Sequence, residues 1–184
     1  GEKQIGDPTE ACLLAMARAA FHHTSVELDE EDIRQMMPRL EELPFDSERK
    51  MMSTKYLVHG VHTVFTKGAL DMLLPRITGI LTEDGVMAIT NEQRNAILRQ
   101  NEEFSQNGLR VLTFVYKESV EDEALCLETE EDYIFIGLVA MMDPPREESV
   151  QAVADAGSAG IRTVMITGDH KVTATAIAKQ IGIW

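Results

Sequence analysis

Tyr133-Ile134-Phe135-Ile136-Gly137-Leu138-Val139-Ala140-Met141-Met142-Asp143-Pro144-Pro145-Arg146 is an apolar run that stops abruptly in a polar, proline-rigid turn. A second stretch repeats the pattern: Arg162-Thr163-Val164-Met165-Ile166 leads straight into Thr167-Gly168-Asp169-His170. Each reads as a buried strand ending in a turn, with a helical pattern behind it, at about Arg146 to Ala156 and Val172 to Ile181. Strand, helix, strand, helix predicts a parallel βαβ unit with a right-handed crossover. In such a unit the strand ends where backbone N–H groups turn outward and a helix begins, a geometry suited to an oxyanion. A βαβα segment cannot cover both faces of its own sheet. The two apolar strands, 133–142 and 162–166, are therefore expected to lack sheet neighbours, and to be disordered, self-associated through exposed edges or covered by another copy.

Upstream the pattern changes. Asp7 stands as N-cap, Pro8 as first helical residue and Glu10 three after the cap, a capping-box arrangement opening a helix that continues through Leu13, Leu14, Met16, Ala17 and Ala20. Cys12, among these apolar neighbours, reads as a small buried residue. A short helix is expected from Asp29 to Met37, an extended segment from Leu43, paired strands at 50–58 and 61–66 around His59-Gly60, and a short helix at 69–74. Residues 75–89 read as loop with some extended structure. Thr90 and Gln93 form a second capping box, for a helix running to about Asn107 with Gly108 at its C-terminal turn. Leu109 to Tyr116 reads as a strand, and the acidic stretch 118–132 as a solvated excursion. The expected fold is thus an α+β domain with a mainly antiparallel sheet flanked by helices, residues 1–137, followed by a Rossmann-like βαβα slice, residues 138–184.

The composition narrows the function. With 184 residues, 44% apolar and 26% charged, the chain is of globular type. A formal net charge of −14 argues against a nucleic-acid partner, which needs clustered Lys and Arg, but not against a single nucleotide. No run of about 18 apolar residues is present to cross a membrane, and the start, Gly1-Glu2-Lys3-Gln4, has no signal-peptide core. Cys12 and Cys126 lack CxxC spacing, and the five His residues lack ligand spacing, so no metal site is expected. No GxxxxGK[ST] sequence occurs, so ATP would not be gripped through its phosphates by a P-loop.

Six short motifs occur in a fixed order: Gly6-Asp7-Pro8-Thr9-Glu10, Phe45-Asp46-Ser47-Glu48-Arg49-Lys50, Lys67-Gly68-Ala69, Gly108-Leu109-Arg110-Val111-Leu112, Asp143-Pro144-Pro145-Arg146 and Thr167-Gly168-Asp169. In this order and over nearly the full length, the chain resembles the large cytoplasmic loop of P-type cation-transporting ATPases, most closely the calcium-pump-like group. The resemblance implies an ATP-binding domain inserted into a haloacid-dehalogenase-like phosphorylation domain, in the cytoplasmic part of an integral membrane pump. It further implies ATP or ADP as ligand, Mg2+ in the intact pump, and the phosphorylation, actuator and transmembrane domains of the same polypeptide as partners. The family's DKTGT and GDGxND motifs are missing, so the chain alone is expected not to form the aspartyl-phosphate.

The same resemblance gives roles to individual residues, several of which also have plain structural explanations. Phe45 is implied to stack on adenine; by itself it equally fits a loop aromatic tucked into a local core. Lys67 and Gly68 are implied to lie beside the base, Gly68 letting the ligand approach the backbone; a strand exit with a solvated Lys explains them too. Glu10 is implied to accept from the adenine amino group, while a capping box needs no ligand. Lys50 and Met52 are implied to line the pocket, Arg110 to reach toward the phosphates, and Leu112 to line the same slot. Ser47 stands where some calcium pumps carry an Arg linked to the phosphates. Thr167, Gly168 and Asp169 are implied to hold phosphoryl oxygens, against an ordinary helix cap. Asp143, Pro144 and Pro145 are implied to stiffen the link from strand to helix. Two other functions compete: a dehalogenase-like phosphatase with a large cap, which needs an absent Asp nucleophile loop, and an interaction module acting through the acidic stretch 118–132.

Overall fold

The structure, a computed structural model, describes residues 7–22, 30–142, 146–167 and 171–183. Seven strands form one mixed sheet: β1 (Arg39–Asp46), β2 (Met51–Val58), β3 (Val61–Gly68), β4 (Ile77–Thr82), β5 (Gly85–Ala88), β6 (Arg110–Ser119) and β7 (Tyr133–Met141). Their spatial order is β1-β2-β3-β6-β7-β4-β5. Every neighbouring pair is antiparallel except β4 with β7. Among the described residues six α-helices accompany the sheet: α1 (Pro8–His22), α2 (Glu30–Met36), α3 (Leu70–Leu73), α4 (Asn91–Gln106), α5 (Glu147–Ser158) and α6 (Lys171–Ile181).

Local sequence accounts for most of these boundaries. Asp7 accepts from the Thr9 N–H at 2.8 Å and caps α1. Thr90 and Gln93 exchange reciprocal hydrogen bonds of 3.2 and 2.9 Å at the start of α4. Gly108, at φ 78°, closes that helix in a conformation suited to glycine, and the Leu109 N–H reaches back to the Phe104 carbonyl at 3.1 Å.

The core lies on one face of the sheet. β2 alternates strictly from Met51 to Lys55, with Met51, Ser53 and Lys55 fully buried and the residues between them half-exposed. Met51, Val64, Val115, Tyr133 and Phe135 meet Leu70, Leu73, Ile77 and Ile97 there. Arg94 ties α4 down by donating to the carbonyls of Leu74, at 2.7 Å, and Ile77.

Several expectations are corrected. β7 does not lack neighbours: β6 pairs along it from Tyr116↔Ile134 to Arg110↔Met141, and β4 pairs with its beginning in parallel. The apolar run is an interior strand of the upstream sheet, which explains its continuous hydrophobicity without a second sheet. Residues 161–167 form no strand, and Val164 and Ile166 stand 66% and 95% exposed. Among the described residues there is consequently no βαβ crossover after β7. The stretch read as loop at 75–89 contains the β4–β5 hairpin, closed by the two-residue turn Glu83-Asp84 before Gly85 at φ 105°. The acidic excursion is not simply solvated. Glu130 is buried, and the Lys55 ammonium donates to the carbonyls of Val120, Glu121 and Glu123 at 3.1, 3.2 and 2.6 Å. Cys12 is exposed, because an apolar run along a helix turns through every direction and does not mark an inner face.

Candidate functional site on the open face of the sheet

Strand register gathers the candidate residues. Met52 pairs with Lys67, and Lys67 pairs with Phe114. Opposed residues share a face, so these three side chains stand opposite the core. Leu112 and Arg110 follow in phase with Phe114, two and four residues back along β6. β1 contributes Phe45 through an irregularity. Leu43 pairs with Ser53 and Asp46 with Met51, so Pro44 and Phe45 together oppose Met52. This is a β-bulge, which re-aims the side chain beside it. In an unbroken strand Phe45 would follow Leu43 toward the core; here it is 64% exposed, on the face of Met52.

The start of α1 borders this face. Lys67 forms an ion pair with Glu10, and Arg110 Nη1 donates to Thr9 Oγ1 at 3.4 Å. The hydrogen bond from the Thr9 backbone, together with the Thr9 side chain, holds the Asp7 carboxyl below its usual range. Leu112 is half-buried and pairs with Val139.

Gly68 and Lys50 are explained first by packing. A Cβ on Gly68 would lie 2.5 Å from Met51 Cβ and 2.6 Å from the Lys50 carbonyl oxygen, so only glycine fits beside β2. That same carbonyl accepts from the Ala69 N–H at 3.0 Å. Asp46 organises the β1–β2 turn, its Oδ1 accepting from the Glu48 and Arg49 N–H groups at 3.0 and 2.9 Å. Lys50 closes the turn at φ 53°, and its ammonium pairs with Asp71 of α3 at 3.1 Å.

The structure thus brings Phe45, Met52, Lys67, Leu112 and Arg110 onto one face and sets Glu10 against Lys67; Lys50 leans toward α3. Thr167 ends the 161–167 segment, apart from this group in the chain's course. Gly168, Asp169, Asp143, Pro144 and Pro145 lie outside the described residues. Sequence reasoning missed Thr9 as a partner of Arg110, and the pair of Arg49 with Glu130 beneath the face. Nothing local distinguishes Glu130 within its acidic run.

The donor set fits an adenine nucleotide. An exposed ring with a thioether and a leucine offers an apolar slot for a base, and Lys67 and Arg110 offer positive charge in a chain of net −14. It does not fit a divalent cation: among the described residues no group of three His, Cys, Asp or Glu side chains converges. A shallow hollow lined by Leu74, Pro75, Asn91, Arg94, Asn95 and Leu98 shares none of the nucleotide candidates.

Comparison with known proteins gives a consistent result. Residues 1–148 match the family model described as P-type ATPase, cytoplasmic domain N. Calcium-transporting ATPase 1 of Lactococcus lactis is 46% identical over 180 residues, covering 97% of this chain and 20% of that protein. Calcium-transporting ATPase 1 of Bacillus cereus is 45% identical over 182 residues, covering 99% of this chain and 20% of the relative. A calcium-transporting ATPase of Listeria monocytogenes is 41% identical over 182 residues, with 98% and 20% covered. The chain therefore spans about a fifth of the length of these relatives.

Proposed function

This chain belongs to the P-type ATPases, as their cytoplasmic domain N, and from that premise we propose that the open face of its sheet binds the adenine nucleotide of an ATP-driven cation pump. The observation that carries the proposal is the exposed Phe45 ring, set by a bulge on the same face as Met52, Lys67, Leu112 and Arg110. The ring stacks on the base, a contact of about 1–3 kcal/mol. Met52 and Leu112 close the apolar slot. Glu10 accepts from the exocyclic amine with the oxygen left over from Lys67, and Lys67 orients the ligand beside Gly68. Arg110 reaches the phosphates, and Lys50 joins it on leaving Asp71.

No P-loop holds the phosphates, so the terminal phosphoryl group projects from the face. That suits a delivery arm: one domain holds the base while the γ-phosphate meets an Asp elsewhere in the polypeptide. Residues 138–141 pair with β6 and stay with the sheet described above; the residues after β7, with exposed Ile161, Val164 and Ile166, are in this reading a slice of the haloacid-dehalogenase-like phosphorylation domain whose sheet is completed by the rest of the protein. Thr167, Gly168 and Asp169 would hold phosphoryl oxygens there, and Asp143-Pro144-Pro145 would stiffen the link. Mg2+ would be held by the phosphates and by carboxylates of that domain, and supplies charge neutralisation during phosphoryl transfer. The whole pump would then couple an aspartyl-phosphate to cation movement across a membrane, with calcium the cation favoured by the relatives' names.

The test is a titration with ATP, GTP and inorganic phosphate followed by aromatic NMR of Phe45. The expected result is a saturable shift with ATP at millimolar concentration or below, and ATP binding, read by calorimetry, that is lost in Phe45→Ala. Equal responses to all three ligands, or none to ATP, would overturn the proposal.

A further inference from the structure

The Arg49 guanidinium is held in one orientation by two different parts of the chain. Its Nη1 donates to both carboxylate oxygens of Glu130, at 2.8 and 2.9 Å, and its Nη2 donates to the Pro44 carbonyl at 2.5 Å. Both side chains are enclosed, at 10% and 1% exposure, and Arg49 Nε is buried without a partner, so this fork alone anchors the head group. Glu130 is fixed in turn. It accepts from Ser53 Oγ at 2.5 Å, Ser53 bonds Thr66 at 2.7 Å, and Thr66 bonds the fully buried Tyr133 hydroxyl at 2.9 Å. The chain of contacts therefore runs from the rigid centre of the sheet to the bulge.

Pro44 and Phe45 are the two bulged residues opposite Met52. Proline has no N–H, so its carbonyl is the polar backbone handle at this point. A planar guanidinium whose two terminal nitrogens bridge Glu130 and Pro44 fixes geometry in a way an ammonium does not. We infer that Arg49, locked by Glu130, is a positioning residue for base stacking: it fixes the bulge that holds the Phe45 ring on the open face. It touches no ligand. The inference rests on the nucleotide reading above, but its effect on the ring exists in the free protein as well.

Arg49→Lys keeps a positive charge beside Glu130 and removes the fork to Pro44. The expected result is a changed or broadened Phe45 ring signal in the ligand-free protein and a loss of ATP affinity of about fivefold to about 150-fold, the span of one stacking contact. Affinity for tripolyphosphate, which has no base, should be unchanged. Ile97→Val, a core change within α4, should leave both the ring signal and ATP affinity as in the parent, which separates positioning from general loss of stability. Should Arg49→Lys not fold, the isosteric Glu130→Gln carries the same test with a smaller effect. A parental ring signal together with parental ATP affinity in these variants would overturn the inference. Failure of the nucleotide reading looks different: the parent would not bind ATP, or Phe45→Ala would bind it equally, and the ring signal of free Arg49→Lys would still decide whether the fork positions Phe45.

Discussion

Gly68→Ala puts the packing at the site under direct test. A Cβ at this position would meet Met51 Cβ at 2.5 Å, the Lys50 carbonyl oxygen at 2.6 Å and Met51 Cα at 2.8 Å. Carbon atoms in good contact stand about 3.5–4.0 Å apart, so the overlap is about 1 Å. The obstructing atoms are backbone or a backbone-bound Cβ, so no side-chain rotation relieves it. β2 and β3 must separate at the Met51↔Gly68 end of their ladder, where Ala69 also bonds Lys50. Overpacking of this kind costs about 1–3 kcal/mol, and backbone obstruction places this case near the top of the range. At a urea slope of about 2 kcal/mol/M, a cost of about 3 kcal/mol lowers the unfolding midpoint by about 1.5 M. Gly137→Ala in β7 is the matched control, because a Cβ there meets nothing within 4 Å and φ is not positive. It should be neutral or stabilising by up to about 1 kcal/mol. Urea unfolding followed by circular dichroism on the three proteins is the assay. Equal midpoints for Gly68→Ala and the parent, or a larger loss in Gly137→Ala, would refute the packing account of Gly68.

Three further outcomes are expected. Glu130→Ala strands the Arg49 guanidinium in a nearly closed site and should cost about 3–5 kcal/mol by chemical unfolding; a change below about 1 kcal/mol, the scale of an exposed pair, would contradict the burial described here. Thr90→Ala removes the capping oxygen of α4 and should cost about 1 kcal/mol, checked by thermal unfolding and by faster amide exchange at Gln93. Two groups set opposite ends of the pH response. Burial raises the Tyr133 phenol above its ordinary 10.0, so its contribution is complete below pH 10 and is lost as pH rises through the folded value. The Asp7 carboxyl is lowered below 3.8 by the Thr9 hydrogen bonds, so its cap is intact above that value and is lost as pH falls through the folded one. Amide exchange along α1 and phenolate absorbance of Tyr133 report the two events.

The helical caps, the β2–β3 hairpin and the α4 helix were legible in the sequence because each depends on neighbours within a few residues. Thr90 and Gln93 can cap only a helix that begins between them. The β4–β5 hairpin was less visible: its strands are short, and Gly85 follows the turn rather than occupying it. β7 was misplaced for a different reason. An unbroken apolar run looks the same whether a strand lies inside a mixed sheet or inside a parallel one, and only pairing distinguishes them. For residues 162–166 the strand pattern was present, but a strand needs a ladder partner and the described residues supply none.

The amino-acid order alone determined the residue types able to meet a purine nucleotide, the caps that start the helices and the family to which the chain is similar. These are properties of short segments, fixed by covalent neighbours. The common face was decided only by tertiary structure. One extra residue in β1 turned Phe45 away from the core, register set Lys67 beside Met52 and Phe114, and a contact across 81 residues joined Arg49 to Glu130. Register and long-range ion pairs arise from the packing of the whole sheet, so no short stretch of sequence carries them.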